Sequence, residues 1–165
     1  MKKVIWWILV MTLALTDCGT ASLFETLGNI QIPDNIPAQA IYTLELPENA
    51  AVATIQGDTG TLYFCDGYEI LVETMPAGNL DQTVRSLSGF GVEDLTVMET
   101  KWQGYSSFEC VWTSAGEGGF QTARSKILDD GRWHYCLTVL APSESISQLQ
   151  EDWNDLFTSF GLTQS

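Results

Sequence analysis

From Gln39 onward, apolar positions recur in short alternating runs rich in β-branched and aromatic residues: 40–46, 51–55, 61–65, 68–75, 95–100, 104–113, 119–128 and 133–140. Alternation with a period of two, in segments of four to ten residues, predicts strands with one buried face. Turn-forming clusters separate them: Pro47-Glu48-Asn49, Gly57-Asp58-Thr59-Gly60, Asp66-Gly67, Gly116-Glu117-Gly118-Gly119 and Asp129-Asp130-Gly131. Asp-Gly pairs tolerate the positive φ of tight hairpins, so neighbouring strands are expected to run antiparallel.

Two segments follow the helical period instead. In 77–88, Leu80, Val84 and Leu87 fall at i, i+4 and i+7, with Asn79 placed to cap the start and Gly89 to stop the end. In 143–160, Ile146, Leu149, Trp153, Leu156, Phe157 and Phe160 form one apolar stripe that Gly161 terminates. The prediction is therefore α+β: an antiparallel sheet of six to eight strands with two principal helices packed on it, in one domain over 39–163.

The first eighteen residues read differently. Lys2 and Lys3 precede the apolar run 4–15, which ends in Leu15-Thr16-Asp17-Cys18. Twelve helical residues rise only about 18 Å against a hydrocarbon core of about 30 Å, so the run fits an export signal better than a membrane span. Its ending resembles the lipobox of bacterial lipoproteins, departing from the family pattern at Asp17, where Gly, Ala or Ser is usual. The resemblance implies a signal peptide over 1–17, a diacylglyceryl group on Cys18, and membrane attachment through that lipid. The alternative is a secretory signal cut after Ala21. Both place the domain outside the cytoplasm, at the membrane of the cell envelope in the first case and secreted in the second. Residues 18–38, with Ser22, Gly28, Pro33 and Pro37, read as the lipidated cysteine and a tether.

Charge narrows the partners. The chain of 165 residues carries 21 Asp and Glu against 7 Lys and Arg. Cleavage before Cys18 removes Lys2, Lys3 and Asp17, leaving a mature net charge of −15. Such a surface excludes nucleic acid as a partner, because phosphate recognition requires clustered cations. Membrane adhesion would have to come from the lipid rather than from a basic patch.

Chemistry-bearing residues are sparse. Beyond Cys18, three cysteines remain. If 104–113, 119–128 and 133–140 form a meander, Cys110 and Cys136 flank its middle strand with Cα atoms about 9.5 Å apart, beyond disulfide reach. Cys65 is then the only candidate half of a bridge. No CxxC and no calcium-loop pattern occurs, so neither a metal nor another cofactor is expected. The single histidine, His134, shares a strand face with Cys136 at i, i+2 and supplies the one Cys-His arrangement available for nucleophilic catalysis. Glu93-Asp94 and Asp129-Asp130 fit solvated turns. Trp102, at a turn beside Lys101 and Tyr105, is expected to be exposed and to anchor a partner.

The succession of Leu44-Glu45-Leu46-Pro47-Glu48, paired strands, a mid-chain helix, the 104–140 meander and a closing Trp153-Asn154-Asp155-Leu156-Phe157-Thr158-Ser159-Phe160 helix resembles the PsbP/Mog1/DcrB-like superfamily over about 39–163. Members of that superfamily serve as photosystem subunits, Ran-binding factors and envelope lipoproteins, so the resemblance implies a fold and leaves function open. The expected function is a non-enzymatic envelope lipoprotein acting as a binding or assembly module for an envelope protein or small ligand. The alternatives are a small envelope hydrolase using carboxylates or Cys136 with His134, and an acidic cation-dependent adhesion module.

Overall fold

The computed structural model describes residues 38–54, 60–116 and 118–163. The signal, Cys18 and the tether up to Pro37 lie outside the described residues.

Seven strands form one antiparallel sheet: β2 (Ala51–Thr54), β3 (Gly60–Phe64), β4 (Glu69–Pro76), β5 (Val97–Trp102), β6 (Tyr105–Gly116), β7 (Gly119–Asp129) and β8 (Trp133–Pro142), in the spatial order β2-β3-β4-β8-β7-β6-β5. The α+β class and the strand number are as the sequence predicts. The β5–β8 meander folds back so that its last strand pairs with β4, matching Val72 to Leu137 and Glu73 to Cys136. Cys110 and Cys136 lie on the strands flanking β7, opposite Ser125 and Ile127, and Cys65, Cys110 and Cys136 are free thiols.

The stretch expected as one strand over 40–46 yields only β1 (Tyr42–Thr43), paired outside the main sheet with β9 (Gly161–Leu162), which the sequence pattern did not indicate. This clasp joins the two ends of the domain. Thr163 donates to the Ile41 carbonyl through its N–H at 2.8 Å and its hydroxyl at 2.9 Å, while the Ala40 N–H reaches the Tyr135 hydroxyl at 2.7 Å.

Helix α1 spans Leu80–Ser88. The Asn79 side chain accepts from the Asp81 N–H, and Gly89 takes the left-handed conformation at φ 79° that ends it. Helix α2 spans Ile146–Ser159 after a single 3-10 turn at Ser143–Ser145. It stops one residue short of the expected end, because Phe160 is already extended and leads into β9.

The helices cover opposite faces of the sheet. Trp153, Leu156 and Phe157 of α2, with Phe160, pack on Ile70, Val72, Leu128, Tyr135, Leu137 and Val139. Val84 of α1 packs on Ile127 and Cys136, flanked by Met75, Leu80 and Phe108. Successive residues of β8 thus serve two different cores, and all of Trp133–Val139 is buried.

Candidate functional site

Helix α1 has nine residues and a length of about 13 Å, whereas the strands beneath it run on for about 25 to 40 Å. It roofs one end of its sheet face and leaves the other end open. There Leu62, Leu71, Leu87 and Leu140 remain half-buried around Trp112 and Ala123, lining a cleft of about 300 Å³. An adjoining hollow of about 320 Å³, bordered by Phe64, Cys65, Tyr68 and Pro142, shares Glu69, Gln121 and Leu140 with it. The two make a trough at the end of the sheet where β4 and β7 begin and β8 ends.

Much of its polar lining is already engaged. Thr138 shares a 2.5 Å hydrogen bond with Ser125, and the Ser88 hydroxyl donates to the Val84 carbonyl at 2.7 Å. Glu69 and Gln121 differ: their side chains have no hydrogen-bond or ion-pair partner among the described residues. At the outer margin, burial pushes the Cys65 thiol up, a tendency that its hydrogen bond with Tyr68 opposes and the nearby Asp152 carboxylate reinforces. An apolar cleft with a few unengaged polar groups at its rim has the composition of a ligand-binding site.

His134 and Cys136 do share a face, but that face is the floor beneath α1 and both are buried. His134 Nδ1 is 2.7 Å from the Thr83 hydroxyl, and Nε2 is 3.7 Å from the Asp129 carboxylate. Burial drives the Cys136 thiol far above its ordinary value, with the Glu73 carboxyl adding to the effect. A thiol held protonated under a helix has neither the charge nor the access of a nucleophile, so the arrangement reads as a buried tie between α1 and β8. Glu73, which the sequence pattern did not single out, is itself raised by burial.

The paired carboxylates build backbone. Asp129 accepts from the Gly131 N–H at 2.7 Å, and Asp130 from the Arg132 and Trp133 N–H groups at 2.8 and 2.7 Å. Asp94 accepts from the Gly91 N–H, while Glu93 pairs with Arg85 at 2.5 Å. Among the described residues no three His, Cys, Asp or Glu side chains converge on one point.

Trp102 is less exposed than its polar neighbours suggest. Lys101 is exposed, with Nζ 2.7 Å from the Ser106 hydroxyl, and Gln103 and Gly104 take positive φ to close the turn. Trp102, however, is half-buried against the α2-side core, as is Tyr105. Its indole N–H donates to the Phe160 carbonyl at 3.0 Å, and the Lys126 ammonium sits 3.9 Å from its ring centroid. The polar neighbours Lys101 and Gln103 suggested solvent, but alternation along β5 turns Trp102 the other way, over a buried cation.

No family model matches the chain, and no curated protein matches it. Solved structures do. Cyanobacterial PsbP from Synechocystis is similar over 90% of this chain and 99% of its own, with a TM-score of 0.58 and 6% identity. LpqN of Mycobacterium tuberculosis, described as involved in cell envelope biogenesis, is similar over 79% and 88%, with a TM-score of 0.51 and 12% identity. A protein from Bacteroides thetaiotaomicron matches 75% of this chain at a TM-score of 0.52 and 8% identity, and the chain spans 46% of its length. The domain therefore has a PsbP-like fold, a scaffold known in proteins of different roles.

Proposed function

We propose that this chain is a non-enzymatic lipoprotein of the bacterial cell envelope, tethered through a diacylated Cys18, whose PsbP-like domain binds an envelope ligand or an apolar element of a partner protein in the trough beside α1. The observation that carries the reading is the contrast within one sheet face: the chemically versatile pair, His134 and Cys136, is sealed, while the leucine-lined cleft next to it is open. The Lys-Lys, apolar, Leu-Thr-Asp-Cys start supports the tether, and the involvement of LpqN in cell envelope biogenesis is compatible with the setting. A partner meeting the β5–β6 turn would touch Lys101 and the outer edges of Trp102 and Tyr105, a second surface for assembly.

Two measurements test this. Intact-mass spectrometry of the membrane fraction should find a mature chain beginning at a diacylated Cys18, whereas an unlipidated chain beginning at Ser22 would replace the anchor with secretion. Nile red, a neutral apolar dye, should bind the full chain and lose affinity about tenfold on Leu140→Asp with the fold retained by circular dichroism. Unchanged dye binding would remove the cleft from the reading.

A further inference from the structure

Resting on the cleft reading above, we infer that the trough selects amphiphiles whose head is a cationic amine: an apolar chain or ring lies over Leu71, Leu140 and Trp112, and its ammonium meets Glu69.

Among the described residues, none of those bordering the cleft or the adjoining hollow is a lysine, arginine or histidine. The five cations of the domain are placed elsewhere. Arg85 is held by Asp81 and Glu93, Arg124 by Glu109 and Asn154, and Lys101 by Ser106. Lys126 is buried under Trp102, and Arg132 borders a separate hollow beside Asp130. The one ionisable carboxylate common to both parts of the trough, Glu69, is half-buried and unpaired among the described residues. Its strand neighbours across β3 and β8 are Phe64 and Leu140, and neither side chain carries a proton donor.

A carboxylate in that position rewards a ligand that brings its own donor and charge, since charge-assisted hydrogen bonds are roughly twice as strong as neutral ones. The Gln121 amide on the same rim gives a donor and an acceptor to a neutral substituent beside the head. The mature charge of −15 works in the same direction: it concentrates small cations near the surface and repels anionic amphiphiles before they reach the cleft. An apolar surface of half-buried leucines, closed on one side by Leu87 of α1, accepts a chain or ring without further polar matching.

The test uses the full chain reconstituted in phosphatidylcholine nanodiscs, titrated calorimetrically with octylammonium, octanol and octanoate against empty nanodiscs. Octylammonium should bind at least tenfold more tightly than octanol and octanoate. Glu69→Gln should abolish that preference, and Glu69→Lys should transfer it to octanoate. Equal binding of all three ligands, or an ammonium preference that survives Glu69→Gln, overturns the headgroup inference and leaves the cleft as an unselective apolar site. Absence of binding by all three overturns the cleft reading itself, and the inference with it.

Discussion

The ammonium of Lys126 lies 2.7 Å from the Phe157 carbonyl at the C-terminal end of α2, with the Phe160 carbonyl at 3.4 Å and the Trp102 ring above it. Helix α2 carries no basic residue in its own last turn, so β7 reaches across the core to supply the cation that a helix C-terminus favours. Arg124, two residues earlier on the same face, adds a second fastening by stacking 4.2 Å from the Phe157 ring and donating to Asn154. A buried ammonium is costly unless carbonyls and an aromatic face replace its water, and this one has both.

That burial has a pH signature. Desolvation brings Lys126 down to about 8, with Glu109 resisting and Arg124 assisting, while an unfolded lysine titrates near 10.4. Between these values the unfolded chain binds more protons than the folded one, so this group's contribution raises stability as pH rises from about 8 to about 10.5. Cys110, pushed up to about 11 by burial, acts with the opposite sign over part of the same range. The difference between wild type and Lys126→Met isolates the lysine. Denaturant melts at pH 7.5 and 10.5 should show that difference moving by roughly 2 to 3 kcal/mol in favour of the wild type. A constant difference would mean that Lys126 keeps its ordinary value in the fold.

Trp102→Ala should destabilise the domain by about 2 to 4 kcal/mol, because it removes a half-buried ring, the hydrogen bond to Phe160 and the cover over Lys126. Thermal unfolding is the readout. An unchanged melting temperature would restore the indole to solvent and to the role of a partner anchor.

Trp153 sits at the centre of the α2 interface, 4% exposed, and Trp153→Ala should cost about 3 to 5 kcal/mol in chemical denaturation. A loss below about 1 kcal/mol would contradict the packing of α2 on the sheet.

The three thiols should separate by access. Cys65 is partly exposed at the edge of the trough, whereas Cys110 and Cys136 are buried and their thiolates disfavoured. Maleimide labelling at pH 7.5 followed by mass spectrometry should modify Cys65 in the native protein and the other two only in denaturant. Rapid native labelling of Cys136 would show that α1 lifts from the sheet and would reopen the Cys-His reading.

Local order was legible in the chain because it depends on near neighbours. Asn79 and Gly89 mark the ends of α1, Asp-Gly pairs mark hairpins, and the apolar stripe of α2 is plain from Ile146 to Phe157. The sequence alone therefore determined the class, the antiparallel meander and the placing of Cys110 and Cys136 on either side of one strand. Tertiary structure decided the rest. A period of two shows that Trp133–Pro142 has two faces, yet the partner of β8 is β4, about sixty residues away, and only packing of the whole chain selects it. The same packing put α1 and α2 on opposite faces, turned Trp102 inward over Lys126, and drew β9 back to Tyr42. The trough arises at this level as well. Glu69, Leu71, Gln121 and Leu140 come from three strands, and they line one opening because a nine-residue helix is too short to cover the sheet face on which it lies.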